Sequence, residues 1–148
     1  MKKPVASLAL ILAAGLFAAS VQAATVTEQI QTTVRTLVTQ WNAGNVKAAA
    51  ATFGDDAQIA GEGMPAAVTG RAAIDKKFAE LIDDTGKVQI DVQRVLETGP
   101  KSGMAWVLWR VAPKDPKGEP FTVRSLFVFS GRGDGFKIRA DSYSVGQY

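Results

Sequence analysis

The sequence contains no cysteine and no histidine among its 148 residues. Without cysteine it has no disulfides or thiol nucleophiles, and without histidine it lacks a Ser-His-Asp arrangement and the usual zinc sites. No phosphate-loop, dinucleotide or metal motif is present, so we expect no cofactor and no metal. Any proton transfer would have to use Asp, Glu, Lys, Tyr or water.

Only one stretch, residues 5–19, is almost wholly apolar. It follows two lysines and precedes Val21 and Ala23, which place small residues three before and one before a cleavage point. The stretch is also shorter than the roughly 20 residues that a membrane-spanning helix needs. We therefore predict a secretory signal peptide of residues 1–23, with cleavage after Ala24 as the alternative.

The predicted mature chain, residues 24–148, has the length of one domain. Losing Lys2 and Lys3 lowers the net charge of +3 by those two charges, and no basic block or stripe remains. Nucleic-acid binding requires concentrated positive charge, so we expect none. We also expect no membrane span in the mature chain, and a periplasmic location with secretion as the alternative.

Three helices are expected in the first half of the chain. Thr25 and Glu28 fit a capping box, and apolar residues then recur every three or four positions as far as Trp41. Asn45 is a suitable N-cap for a short second helix ending near Thr52. The third predicted helix covers residues 71–82.

The second half alternates between apolar and polar residues, as strands do. A short strand at 57–60 is followed by a glycine-rich and proline-rich loop at 61–70, and an irregularity near Arg94 suggests a β-bulge. The remaining strands are predicted at 87–97, 104–112, 121–130 and 136–144, the last two joined by a glycine-rich hairpin. This order predicts an α+β fold, a curved antiparallel sheet with three N-terminal helices on its concave face.

Three short motifs at 41–45 (Trp-Asn-Ala-Gly-Asn), 53–57 (Phe-Gly-Asp-Asp-Ala) and 70–74 (Gly-Arg-Ala-Ala-Ile) occur in this order. With their spacing and the strands that follow, the chain resembles the nuclear transport factor 2-like superfamily, which includes SnoaL-like and ketosteroid isomerase-like proteins. The resemblance implies a cone-shaped domain with an apolar interior and a homodimer formed through the sheet.

Isomerases of this superfamily use a tyrosine on the first helix, an aspartate base after the first strand and a protonated aspartate on the second-last strand. The resemblance places these positions at Leu37, Gly61 and Ser125, so all three groups are missing and this isomerase activity is not expected. Candidates for a catalytic carboxylate remain at Glu62, Asp56 and Asp141.

The resemblance also places a set of large apolar residues and one serine in the cone, where they would line a ligand pocket or simply fill the core. Trp106 and Trp109 are three residues apart, so only one of them should point inward. The predicted pocket residues are Leu37, Trp41, Phe53, Ile59, Met64, Ile74, Phe78, Trp106, Trp109, Ser125, Phe127 and Phe129.

The last strand has two alternatives. Regular alternation turns Ala140 inward, and turns Asp141 and Tyr143 outward, where Asp141 would join Arg110, Arg124 and Arg139 in charge pairs. A register slip of one residue would reverse this pattern and bring Arg124, Asp141 and Tyr143 into the pocket.

Three classes of function remain open from the sequence. The leading one is an exported domain that binds a small hydrophobic molecule without catalysis. The second is an enzyme of the isomerase, dehydratase, cyclase or epoxide hydrolase type acting on such a molecule. The third is a protein-interaction domain that uses its sheet face. A buried carboxyl with a perturbed pKa would favour the enzyme.

Overall fold

A computed structural model describes residues 23–148, so the predicted signal peptide lies outside the described residues except for Ala23. Helix α1 spans Val26–Asn42 and starts with the predicted capping box. The Thr25 hydroxyl accepts a hydrogen bond from the Glu28 amide at 3.2 Å, and the Glu28 carboxylate accepts one from the Thr25 amide at 2.8 Å. Among the described residues, no helix is long and apolar enough to cross a membrane.

Two further helices follow, α2 at Val46–Ala50 and α3 at Arg71–Asp84. Asn45 occupies the N-cap position of α2, as predicted, but its side chain makes no capping hydrogen bond. Its amide nitrogen donates to Gln40. Gly70 leads into α3 with a φ of 87°, a conformation that disfavours any other residue.

Six strands form one curved sheet in the order β2-β1-β6-β5-β4-β3. The neighbours from β3 to β6 are antiparallel, as predicted, whereas β1 runs parallel to β6. The two-residue strand β2 lies within the predicted loop. The α+β fold is thus confirmed, with a sheet that is mixed rather than wholly antiparallel. The strands are β1 Phe53–Gly61, β2 Val68–Thr69, β3 Thr85–Gly99, β4 Ser102–Pro113, β5 Phe121–Arg132 and β6 Gly135–Val145.

The helices pack against the concave face of the sheet through aromatic side chains. Trp41 of α1 makes edge-to-face contacts with Phe78 of α3 and Trp109 of β4, at centroid distances of 5.6 and 5.4 Å. Phe127 of β5 continues the cluster between Trp109 and Phe53, each 6.1 Å away. Rings at these separations stabilise the core beyond the contribution of their buried area.

Register shifts interrupt the regular alternation of the sheet at several points, among them one in β3 and one in β6. In β3 the register shifts between Val92 and Arg94, where the sequence predicted an irregularity. In β6, Ile138 pairs with Phe129 while Ala140 pairs with the adjacent Val128. Arg139 is therefore an extra residue in β6, and the side chains that follow it are turned to the opposite face of the sheet.

Candidate functional site

Asp141 points to the concave face, where it lies across from Phe127 of β5 and Ile59 of β1. Only 8% of its surface is exposed. Regular alternation predicted an outward Asp141 in a surface charge pair, and this was wrong because the bulge at Arg139 shifts the register by one residue. The same shift turns Tyr143 inward, opposite Ser125.

Burial controls the ionisation of this carboxyl group. It raises the pKa of Asp141 from 3.8 to about 7, because the charged form loses its hydration. The Ser125 hydroxyl lies near the carboxyl but outside hydrogen-bonding geometry, so it opposes this shift only in part. Burial and the nearby Asp141 carboxyl together raise the pKa of Tyr143. Asp141 can therefore change its protonation state near neutral pH.

Asp141 belongs to a set of buried polar side chains without hydrogen-bond partners among the described residues. The unpaired atoms are Asp141 Oδ1, Ser125 Oγ, Trp109 Nε1 and Trp41 Nε1. Each such group costs about 1–3 kcal/mol when it is buried without a partner. We call these four side chains the concave polar group, and each of them retains a donor or acceptor atom that no other group in the described residues satisfies.

The Tyr143 ring packs against Gly61, in the space that a side chain at that position would fill. A Cβ atom on Gly61 would lie 2.5 Å from Cγ and Cδ1 of Tyr143, far closer than such atoms approach. The resemblance implied that a catalytic base would stand at the position of Gly61. In this chain the Tyr143 ring packs there against the backbone, and the position carries no carboxylate.

The carboxy-terminal residue contacts the strand that carries Ser125. The Tyr148 hydroxyl donates a hydrogen bond of 2.7 Å to the Ser125 carbonyl oxygen, although most of the residue is exposed. Its pKa is raised, chiefly by burial of the hydroxyl, with a contribution from Asp141. Sequence reasoning missed Tyr148, because no pattern in the chain indicates where its last residues fold.

Two of the three candidate catalytic carboxylates lie outside the concave face. Glu62 is exposed, and its carboxylate accepts a hydrogen bond of 2.8 Å from the Val145 amide, which fixes the end of β1 against β6. Asp56 is also exposed and forms ion pairs with Arg132 and Arg139. These contacts give both residues structural roles, so only Asp141 meets the geometric requirement for an interior acid or base.

The opposite, convex face carries Trp106 and Arg124. Trp106 was predicted to line the pocket, but it points away from it, since Trp109 takes the inward position three residues later. The Arg94 guanidinium lies 5.6 Å from the Trp106 ring. Arg124 stays outside and donates to the Ser144 hydroxyl at 2.7 Å, so the register slip brings in Asp141 and Tyr143 but not Arg124. Arg110 pairs with Asp91 at 2.8 Å.

Most of the predicted pocket residues pack against one another. Two open grooves occur elsewhere: one of about 670 Å³ at the ends of β3, β4 and β5, and one of about 380 Å³ beside α2 and α3. Of the predicted pocket residues, only Phe53 lines one of these grooves, the smaller one. The buried members of the set are Leu37, Trp41, Phe53, Ile59, Ile74, Phe78, Trp109, Ser125, Phe127 and Phe129, and Met64 is half-buried.

Most of the charged side chains that line the smaller groove already have partners. Arg71 contacts the carboxylates of Asp55 and Asp75 at 3.0 and 3.1 Å, and Lys137 donates to the Ala51 carbonyl at 2.6 Å. Within the described part of the chain, no cluster of three or more acidic side chains could hold a metal ion. The concave polar group places a buried carboxyl and three hydrogen-bond donors in an otherwise apolar interior, which makes it the candidate site.

Comparison with known proteins agrees with this architecture. Residues 34–139 match the SnoaL-like domain family, and the chain belongs to that family. Its fold is that of the nuclear transport factor 2-like superfamily.

Solved structures with the same fold have low sequence identity to the chain. A ketosteroid isomerase-like protein from Erwinia carotovora atroseptica SCRI1043 is 18% identical with a TM-score of 0.68, over 80% of this chain and 95% of that one. An NTF-2 like protein of unknown function from Shewanella oneidensis MR-1 is 14% identical with a TM-score of 0.68, over 80% and 98%. At such identities the likeness shows the fold alone. No curated protein matches the sequence.

Proposed function

We propose that this chain is an exported domain that binds a small hydrophobic molecule at the concave polar group. The observation that carries the proposal is the set of four unpaired polar atoms in an interior otherwise built of apolar and aromatic side chains. Ligand sites commonly combine an apolar lining with a few polar groups that fix orientation. A bound molecule would supply the missing hydrogen bonds.

The types of unpaired atom indicate the chemistry of the ligand. The indole nitrogens of Trp41 and Trp109 only donate hydrogen bonds, the Ser125 hydroxyl can donate, and Asp141 donates when it is protonated. These groups favour an uncharged molecule with a hydrogen-bond acceptor such as a carbonyl or ether oxygen. The aromatic rings fill much of the concave face, which favours a small ligand.

Native mass spectrometry of the mature domain, purified gently from the cell envelope, tests this proposal. We expect the extra mass of a small molecule on the wild-type chain and its loss in a Ser125→Val, Asp141→Leu double variant. Glu62→Gln is the matched control, since it changes an exposed carboxylate outside the concave face. A ligand-free mass for the wild type, or equal ligand retention in the double variant, would contradict the proposal.

A second candidate function is acid–base catalysis on the same molecule. It is favoured by Asp141, whose pKa of about 7 would allow the carboxyl both to take up and to release a proton near neutral pH. Isomerisation and dehydration are reactions of this kind. If the bound molecule is turned over, Asp141→Asn should abolish turnover while binding persists, and undiminished turnover in that variant would exclude this role.

The convex face supports the proposal that two copies associate through their sheets. Half-buried or buried apolar side chains, including Trp106, Leu108 and Leu126, form its centre, and charged residues such as Arg110 and Arg124 flank them. Sedimentation velocity should find a dimer for the wild type and a monomer for Trp106→Glu. A wild-type monomer at micromolar concentration would exclude this dimer.

Export rests on residues 1–23 alone. We expect the protein recovered from the cell envelope to begin at Ala24, and its intact mass measures this directly. A chain that retains its first residues would contradict the predicted cleavage.

A further inference from the structure

We propose that Arg139 and Gly54 are positioning residues, which hold β6 in the bulged register that presents Asp141 and Tyr143 to the concave face. This inference rests on the proposed function of that face. Neither residue touches the concave polar group, and both act through the path of the backbone. β-Bulges often re-aim a side chain next to a functional site.

The bulge decides which side chains of β6 face inward. Before it, Ile138 faces the core opposite Phe129, and after it Asp141 does so opposite Phe127. Without the extra residue, strict alternation from Ile138 would turn Ala140 inward and Asp141 outward. One inserted residue thus exchanges an alanine for a carboxyl on the concave face.

The regular register would place Asp141 in water and avoid the burial of a carboxyl group. It would also leave Tyr143 on the outer face. Burying an ionisable group without a charged partner is unfavourable, so contacts elsewhere must hold the bulged register in place. The side chain of the bulged residue, Arg139, makes contacts of this kind to β1, β5 and the hairpin turn.

Only 9% of the Arg139 side chain is exposed, and its guanidinium donates hydrogen bonds to acceptors on several sides. Its Nη2 donates to Asp134 at 2.6 Å and to the Gly135 carbonyl at 3.2 Å. Its Nη1 donates to Asp56 of β1 at 3.2 Å, and its Nε donates to Ser130 of β5 at 3.3 Å. Arg139 therefore ties β6 to both neighbouring strands and to the hairpin turn.

Gly54 provides the space that this guanidinium occupies. A Cβ atom at Gly54 would lie 2.1 Å from Nη1 and 2.9 Å from Cζ of Arg139, so any side chain there would displace the guanidinium. Strand β1 is irregular at the same level, because its register with β6 shifts between Phe53 and Gln58. The two irregularities face each other and meet at Arg139.

Nuclear magnetic resonance on the ligand-free protein tests the inference. Cross-strand contacts between β5 and β6 report the register, and the carboxyl titration of Asp141 reports its burial. The variants are Arg139→Ala, Arg139→Lys and Gly54→Ala. Arg132→Ala is the control, since Arg132 lies in the same hairpin and binds the same Asp56 but is outside the bulge.

We expect Arg139→Ala to weaken the Phe127–Asp141 contacts and to move the Asp141 pKa down toward 3.8. Arg139→Lys should restore part of the wild-type register and of the wild-type Asp141 pKa. Gly54→Ala should shift the Asp141 pKa in the same direction as Arg139→Ala. Arg132→Ala should retain the wild-type register. A wild-type register and pKa in both Arg139→Ala and Gly54→Ala would overturn the inference, as would an equal change in Arg132→Ala. If Arg139→Ala does not fold, Gly54→Ala decides alone.

Ligand is absent from this experiment, so its failure is separate from failure of the proposed function. A wild-type register in every variant would reject the positioning role even if native mass spectrometry finds a bound molecule. A ligand-free wild type would reject the binding proposal even if the register depends on Arg139.

Discussion

Replacing Asp141 with asparagine is expected to change how the free energy of unfolding depends on pH. The pKa of this carboxyl is about 7 in the folded chain, against 3.8 for an ordinary aspartate. Below pH 3.8 both the folded and the unfolded chain carry the proton on Asp141, so this residue does not change the free energy of unfolding with pH. As the pH rises from there to 7, the unfolded chain ionises first, and the wild-type protein loses stability.

The size of this loss follows from the two pKa values. They differ by about three pKa units, each worth about 1.4 kcal/mol, so the full effect is about 4 kcal/mol as an upper value. Small domains have total stabilities of about 5–15 kcal/mol, so the change is well within measurement. Asparagine has nearly the same shape and does not titrate, so this pH dependence should disappear in the variant.

Urea unfolding between pH 4 and pH 8 measures the effect. The stability of Asp141→Asn relative to the wild type should rise with pH up to about 7 and then level off. Asp84→Asn, at the exposed end of α3, is the control for removing a carboxylate that stays in water in both states. Parallel pH profiles for Asp141→Asn and the wild type would refute the assignment of Asp141 as a buried acid.

Three other substitutions test the fold around the site. Phe127→Ala should destabilise the protein by about 3–5 kcal/mol, because it leaves a cavity in the aromatic cluster. Phe121, which is 43% exposed, should cost markedly less when replaced by alanine, and equal costs in urea unfolding would contradict the packing. Gly61→Ala should displace the Tyr143 ring and alter its proton chemical shifts. Gly133→Ala is the control and should leave them unchanged, because a Cβ at Gly133 would have no neighbour within 4 Å. Unchanged Tyr143 chemical shifts in Gly61→Ala would refute the contact. Thr25→Ala should lower thermal stability by about 1 kcal/mol through loss of the capping box, and an unchanged melting temperature would argue against that cap.

Local patterns predicted much of this fold. The Thr25–Glu28 capping box and the apolar stripe that follows depend on residues close in sequence, and α1 appears as predicted. Period-two alternation predicted the long strands and placed Ser125 and Phe127 on one face of β5, and the family resemblance implied that this face points inward. The three-residue spacing of Trp106 and Trp109 correctly predicted that only one of them faces the core.

The site itself depends on contacts between distant residues, which the sequence pattern does not contain. The inward position of Asp141 requires the bulge at Arg139, and that bulge is accompanied by contacts to Asp56 on β1 and to Asp134 in the hairpin. The residues from Ile138 to Tyr143 fit regular alternation equally well. Asn45 takes its predicted N-cap position, but its side chain makes no capping hydrogen bond, and its amide donates to Gln40 five residues earlier.

The pKa of Asp141 in the wild-type chain is the most direct test of the claim that the concave face holds a buried acid. It can be measured by following the carboxyl carbon resonance of Asp141 from acidic to alkaline pH. The structure predicts a midpoint of about 7, accompanied by a small shift of the neighbouring Ser125 resonances. A midpoint near 3.8 would place the carboxyl in water and contradict the account of this site.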